Sequence, residues 1–136
     1  MTLKELFGND NFARLAGAKL ITVKPGYALA EMTVSDAIIN ASGIVQGGAL
    51  FTLADLAFAA AVNTHGDVTV TTHADISFLR SVKEGTLRAE AREVFDHHRL
   101  PYATVNITDE DGNLVAVFTA GGYRKSNAHF DIDALE

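Results

Sequence analysis

The residues best suited to chemistry in this sequence lie in one apolar stretch, Gly47 to Val62, whose single charged residue is Asp55. A carboxylate in an otherwise apolar helix is costly to desolvate unless it is paired, hydrogen-bonded or open to a cleft. Two interpretations follow from the residues alone. Asp55 is either a structural, hydrogen-bonded carboxylate or a functional one.

Two glycines, Gly47 and Gly48, open the same stretch. The N–H groups at a helix start have no partner within the helix, and the helix dipole helps them stabilise an anion or a developing oxyanion. Glycine also lets a ligand, or another backbone, approach closely. The pair therefore indicates either an oxyanion site or a close packing contact.

The spacing of these residues bears on assembly. Asp55 follows Gly47 by eight residues, which is roughly 12 Å along a helix axis. A carbonyl held by the Gly47 amide therefore cannot also contact Asp55 of the same helix. If both residues serve one reaction, they come from two chains, which predicts a homodimer with two composite sites across a two-fold axis.

The element that carries these residues is predicted to be a helix over Gly47 to Val62. Leu, Ala and Phe tolerate or favour helix, and no proline interrupts the run. Apolar residues occupy its whole circumference, which is typical of a helix buried on all sides. The run is too short to span a bilayer.

The remaining chain predicts an antiparallel sheet around this helix. Residues 2–16 read as two short amphipathic helices, with Asn9-Asp10-Asn11 as a break and cap. Alternation and turn signals predict six strands: Ala18 to Lys24, Tyr27 to Val34, Val68 to Ser81, Thr86 to Phe95, Tyr102 to Thr108 and Leu114 to Lys125. The last four are expected to form a meander. We therefore predict one α+β domain over 1–136, with an N-terminal helical segment over 1–17 and a loose tail over 126–136.

Composition excludes several classes of function. The 136 residues contain no cysteine, so no disulfide or thiolate zinc site is available. A formal net charge of −6 argues against a nucleic-acid or membrane partner. There is no serine-hydrolase elbow and no phosphate loop, and the histidines suggest no metal set. The first residues contain no apolar run of signal-peptide length, and we expect a cytoplasmic protein.

The run from Asn40 to Asp55 resembles the active-site segment of hotdog-fold acyl-CoA thioesterases, in particular the PaaI-like, phenylacetate-pathway branch. In that family the segment reads Asn, five residues, His-Gly-Gly, then a short apolar helix that ends in Ala-Asp. The runs Phe78 to Val82 and Val117 to Arg124 are also similar to the family, so the resemblance covers about residues 18–125.

The resemblance implies a hotdog fold, with the sheet wrapped around the long helix, and a dimer that is often doubled to a tetramer. It implies that the N–H of Gly47 polarises the thioester carbonyl and that Asn40 orients the carbonyl or a water molecule. Asp55 of the partner subunit would act as general base or as nucleophile. Thr71 matches the strand position of a hydroxyl near the attacking water.

The resemblance also implies an acyl-CoA substrate, with no metal and no cofactor apart from the coenzyme A of that substrate. Gly48, Phe51 and Phe58 become candidates for contacts with the acyl part, which the aromatic residues allow to be an aryl or a medium aliphatic group. The candidates for the coenzyme A phosphates are Arg80, Lys83 and Arg124.

The sequence departs from the family pattern at two positions. Gln46 stands where the family has histidine, so a neutral amide replaces a titratable ring. Ser81 replaces the usual proline. The expected function is hydrolysis of an acyl-CoA thioester. The alternatives are a non-catalytic acyl-CoA-binding module, for which Gln46 would mark lost chemistry, and, more weakly, a hotdog dehydratase.

Overall fold

A long helix packs against the concave face of a curled antiparallel sheet in the computed structural model, which describes all residues from 1 to 136. The helices are α1 (Leu3–Gly8), α2 (Asn11–Ala16) and α3 (Gly47–Val62). The strands are β1 (Ala18–Lys24), β2 (Tyr27–Thr33), β3 (Asp67–Phe78), β4 (Thr86–Phe95), β5 (Tyr102–Thr108) and β6 (Leu114–His129). This confirms the predicted hotdog fold of the α+β class.

The central helix α3 has the predicted bounds, but it is not buried on all sides. Ten of its sixteen residues are buried against the sheet, with Leu53, Ala57 and Phe58 at 0% exposure. A narrow stripe stays accessible to solvent, and its members are Gly48, Thr52, Asp55 and Ala59, with Phe51 beside them. These residues recur at three- and four-residue intervals, so they share one face of the helix. The stripe is small or polar, whereas the buried faces carry the larger apolar residues.

The sheet order is β1-β2-β4-β5-β6-β3, with every neighbouring pair antiparallel. The expected four-strand meander is therefore wrong for β3. Only β4, β5 and β6 follow one another, and β3 pairs with β6 at the outer edge. The alternation that identifies a strand carries no information on which distant strand it pairs with.

The expected loose tail from Ser126 also needs correction. Strand β6 continues to His129, which pairs with Asp67 at the start of β3. Beyond it, Phe130, Ile132 and Leu135 pack against the core. The N–H groups of Leu3 and Lys4 donate to the carbonyls of Ala134 and Leu135 at 2.8 and 2.9 Å. The tail is polar on average, but these three apolar residues attach it to the core.

The N-terminal segment forms two helices, as predicted, and α2 is fixed at both ends. The Asp10 side chain accepts a hydrogen bond from the N–H of Ala13 at 3.0 Å and caps its start. Gly17 ends it in the left-handed conformation with φ of 90°. Ala13 faces the core at 1% exposure. The helix α2 therefore has a fixed position beside α3.

None of the helices combines the length and the apolar character that crossing a bilayer requires.

Candidate active site

The start of α3 carries two N–H groups without partners. Gln46 is the N-cap residue, and its Oε1 accepts a hydrogen bond from the N–H of Ala49 at 3.1 Å. Its main-chain carbonyl accepts from Ala49 and Leu50. The N–H groups of Gly47 and Gly48 make no hydrogen bond within the chain. They remain free donors at the positive end of the helix dipole, where an anion or oxyanion is stabilised.

Both glycines also lie where a β-carbon would meet the end of a neighbouring side chain. A β-carbon at Gly47 would lie 2.9 Å from Cζ of Phe78, the last residue of β3. A β-carbon at Gly48 would lie 2.5 Å from Oε1 of Gln46. The two interpretations of the glycine pair are thus compatible. The neighbours that approach are side chains rather than another backbone.

A groove of about 470 Å³ opens beside Gly47 and contains Asn40 and Phe78 in its walls. Oδ1 of Asn40 accepts hydrogen bonds from the N–H groups of Ser42 and Ile44 at 2.9 and 3.2 Å. These bonds fix the Asn40 side chain and leave its amide group free to donate. The structure therefore brings Asn40 and Gly47 to one groove, as the resemblance implied.

Asp55 is a half-buried carboxylate that accepts no hydrogen bond within the chain. Burial raises the pKa of its carboxyl above the ordinary value, and the negative charge of Asp10 raises this pKa further. Thr52, on the same stripe, donates its hydroxyl to the carbonyl of Gly48 at 2.9 Å. Asp55 therefore has no hydrogen-bond partner in the protomer, which argues against the interpretation as a structural, hydrogen-bonded carboxylate.

Asp55 and Gly47 do not meet within one protomer. They lie eight residues apart on the uninterrupted helix α3, about 12 Å along its axis. Thr71 is exposed on the edge strand β3, where its hydroxyl forms no hydrogen bond within the chain. Within one chain, Asn40 and Gly47 thus share a groove that Asp55 and Thr71 do not line.

The two aromatic candidates for acyl contacts differ. Phe58 is fully buried and packs against Phe118, with ring centroids 6.0 Å apart. It belongs to the core, so the expectation that it contacts substrate is corrected. Phe51 is half-buried, with its ring edge-on to Phe118 at 5.1 Å. Of the two, only Phe51 has a surface that a ligand can reach.

Arg124 is not available for a phosphate, and this expectation is also corrected. Its side chain is 7% exposed, and Nη1 donates to Oδ1 of Asp96 at 2.6 Å. Nη2 lies 3.7 Å from Oε1 of the buried Glu93 and donates to the carbonyl of Val62, at the far end of α3. The hydrogen bond from Arg124 lowers the pKa of Asp96. The guanidinium is used to join β4, β6 and the end of α3.

Arg80 and Lys83 are exposed and line a second polar groove of about 540 Å³, which shares Arg80 and Ser81 with the groove at Gly47. Four carboxylates also line it, from Glu84, Asp109, Glu110 and Asp111. Both cations stay accessible for a phosphate, but they share their surroundings with acidic groups.

One histidine joins the network around Arg124. Nε2 of His65 lies 2.8 Å from Oε2 of Glu93 and 3.7 Å from Oδ2 of Asp96. These three residues offer ligand atoms within 4.8 Å of one another. A metal ion there would have to share both carboxylates with the guanidinium of Arg124, which opposes a second cation.

Sequence reasoning missed the contribution of α2 to this region. Phe12 and Leu15 are 69% and 79% exposed, and both line a further groove that reaches Gln46 and Gly48. The available signal was the apolar pair at a three-residue interval just after the Asp10 cap. On the sequence alone, this pair indicates only that the segment is an amphipathic helix.

Comparison with known proteins identifies the family of this chain. The profile of the thioesterase superfamily matches residues 42–116. The acyl-coenzyme A thioesterase PaaI of Escherichia coli K12 is 32% identical over 120 residues, which cover 88% of this chain and 86% of PaaI. The structure of E. coli PaaI, from the phenylacetic acid degradation operon, superposes with a TM-score of 0.85 at 30% identity over 91% of each chain. The TT0310 protein of Thermus thermophilus superposes with a TM-score of 0.81 at 33% identity, over 86% of this chain and 99% of that protein.

The curled sheet, the central helix and the free N–H groups at its start define a hotdog-fold thioester hydrolase. The chain belongs to the thioesterase superfamily, and within it to the PaaI-like hotdog thioesterases. The resemblance drawn from Asn40 to Asp55 is thereby confirmed. The matches favour the hydrolase over the binding module and the dehydratase that the sequence left open.

Proposed function

We propose that this protein hydrolyses an acyl- or aryl-acyl-CoA thioester to the free acid and coenzyme A, in a site shared by two protomers. One observation carries the proposal. The free N–H groups at the start of α3 and the unpartnered carboxylate of Asp55 lie on the same helix, too far apart to act on one carbonyl. The likeness to the acyl-coenzyme A thioesterase of E. coli supports the substrate class.

Two features of the protomer support a homodimer. Strand β3 has twelve residues and an unpaired outer edge, and natural proteins rarely leave an edge of that length uncovered. The accessible stripe of α3 is formed by small and polar residues, which allow a second helix to approach closely. Two antiparallel copies of α3 related by a two-fold axis bring the partner subunit's Asp55 towards Gly47. Two such dimers form the tetramer that the resemblance implies.

The proposed reaction proceeds as follows. The N–H of Gly47 donates to the thioester oxygen and stabilises the negative charge that develops on it. Asn40 orients the carbonyl, and Thr71 positions a water molecule. The partner subunit's Asp55 takes a proton from that water as its oxygen attacks the carbonyl carbon. The carbon–sulfur bond then breaks, and the departing thiolate of coenzyme A receives the proton from Asp55.

The surroundings of Asp55 suit this role. A raised pKa makes the ionised carboxylate a stronger base than an exposed one, and its free oxygens can accept a proton. The same oxygens can also attack the carbonyl carbon, which breaks the carbon–sulfur bond, releases the coenzyme A thiolate and leaves a mixed anhydride that water then hydrolyses. In neither route does the proposal use a metal or any cofactor beyond the coenzyme A of the substrate.

Gln46 has a role that does not depend on a proton. Its Oε1 caps α3 through Ala49, while its side-chain amide keeps two donors next to the free N–H groups. Replacement of the family histidine therefore leaves the helix start capped and polar. We expect Gln46 to modify the rate rather than abolish the reaction.

The test of this function is thiol release from a panel of aryl, short-chain and long-chain acyl-CoA substrates. Asp55→Asn keeps the shape of the side chain and removes the base. It should lower kcat by about 10²–10⁴-fold while the oligomeric state stays unchanged. Turnover by Asp55→Asn equal to that of the wild type would contradict the role of the carboxylate. Gln46→His, measured alongside, reports whether the family ring accelerates the same step.

A further inference from the structure

The start of α3 lies between two grooves of different character. The groove beside Gly47 is continuous with the one that contains the cations Arg80 and Lys83. The groove beside Gly48, which we call the α2 groove, has a volume of about 620 Å³. Its walls include Phe12, Leu15, Ile38, Ile39, Gln46 and Gly48, and no charged side chain lines it.

The α2 groove adjoins the proposed site. Two of its residues, Gln46 and Gly48, are the cap and the second residue of α3. Its outer wall is α2, and Asp10 at the start of α2 is close enough to Asp55 to act on its charge. The groove thus adjoins the start of α3 at Gly48, whose N–H is free, and extends from there between α2 and residues 37–39.

We propose that the α2 groove takes the acyl group of the thioester and that Phe12 and Leu15 determine which acyl groups are accepted. The inference rests on the proposed function. A thioester carbonyl held at Gly47 has two substituents, of which the coenzyme A side carries phosphates and the acyl side is uncharged. The α2 groove has no charged side chain and suits the acyl chain, whereas the groove on the other side of Gly47 leads to Arg80 and Lys83. Those two side chains can pair with phosphates, although four carboxylates lie beside them.

The position of α2 makes these two residues a fixed wall. Asp10 and Gly17 hold the helix ends, and Ala13 anchors it in the core. Phe12 and Leu15 project from it with 69% and 79% of their surfaces exposed. Because they contribute little to the core, they can be truncated without loss of the fold.

The test uses saturated acyl-CoA substrates from two to twelve carbons, with kcat/KM measured by thiol release. Each methylene that enters the α2 groove should raise kcat/KM by up to about fourfold, the equivalent of its transfer from water. The double variant Phe12→Ala/Leu15→Ala should flatten this dependence, so that its loss of kcat/KM relative to the wild type grows with each added carbon. The matched control Phe95→Ala/Leu100→Ala, which truncates one Phe and one Leu at 62% and 58% exposure, should keep the wild-type dependence.

Three results would overturn the inference. The first is a wild-type rate that does not depend on chain length. The second is a dependence that survives in Phe12→Ala/Leu15→Ala. The third is a monomeric mass for this variant, measured by light scattering. It would mean that the groove is an interface between copies of the chain.

The proposed function and the inference fail separately. If the wild type releases no thiol from any substrate, the function fails, and calorimetric binding of the same acyl-CoAs tests the groove alone. Affinity that rises with chain length in the wild type and not in the double variant then supports the inference. Equal affinities in both proteins overturn it.

Discussion

The side-chain oxygen of Gln46 lies 2.5 Å from the point that a β-carbon at Gly48 would occupy. The same oxygen accepts the N–H of Ala49, so the cap of α3 is held in the space that the glycine leaves open. Gln46, which replaces the family histidine, and Gly48 therefore depend on each other. Their coupling can be measured.

Gly48→Ala should displace the Gln46 side chain and cost about 1 kcal/mol of N-cap free energy, part of which the helix preference of alanine offsets. In the background of Gln46→Ala the cap is already absent. There Gly48→Ala should be neutral or stabilising, because alanine favours helix over glycine. Urea unfolding of the two single variants, the double variant and the wild type measures this coupling. An equal cost of Gly48→Ala in both backgrounds would contradict the dependence.

A second prediction concerns the N–H of Gly47. Proline is favoured at the first helical position, where Gly47 lies, and Gln46 already has the φ of −66° and ψ of 136° that a residue before proline adopts. Gly47→Pro should remove the donor and lower kcat by about 10²–10³-fold. Gly47→Ala places a β-carbon against the same Phe78 ring but keeps the donor. If the two variants lose the same activity, the loss comes from packing and not from the missing N–H.

A third prediction concerns pH. Asp55 must be ionised to act, so kcat/KM should fall as pH falls through its raised pKa, above the ordinary carboxyl value of 3.8. Asp10→Asn keeps an N-cap on α2 and removes the second cause of that raised pKa. The acid limb should therefore move to lower pH, although burial, the larger cause, keeps it above 3.8. A pH profile of kcat/KM checks this shift, and an unmoved or upward-moved limb would argue against it.

A fourth prediction separates Arg124 from the exposed cations. Arg124→Met removes the partner that Glu93 has at 3.7 Å and the hydrogen bond to Asp96, while His65 remains 2.8 Å from Glu93. The free energy of unfolding should therefore fall by about 1–3 kcal/mol. KM for acyl-CoA, measured at a temperature where the variant is folded, should not change. Arg80→Ala and Lys83→Ala should raise KM and alter stability by less than about 0.5 kcal/mol. A raised KM in Arg124→Met at unchanged stability would return Arg124 to the binding site.

The sequence predicted the elements near the site well because their signals are local. The glycine pair and the apolar run set the bounds of α3, and Asp10 marked the start of α2. Local sequence signals could not predict which residues surround Arg124. Its partners Glu93 and Asp96 lie about thirty residues away along the chain and meet it only in the folded sheet.

The same limit applies to the helix that carries the site. Periodicity showed that α3 is apolar, but it could not separate Phe58, which fills the core, from Phe51, which stays partly accessible. Which face of α3 is buried depends on where the sheet and α2 lie. The α2 groove, built from α2, the loop before α3 and the start of α3, is visible only once these segments are placed together.

The proposed reaction requires a site that joins Gly47 of one protomer to Asp55 of the other. The direct measurement is thiol release by an equal, randomly assorted mixture of Gly47→Pro and Asp55→Asn chains, obtained by co-expression. Each variant alone should be nearly inactive. In the mixture, about one quarter of the sites combine an intact Gly47 with an intact Asp55, so about one quarter of wild-type activity should return. If the mixture stays as inactive as the separate variants, the two residues do not act across an interface.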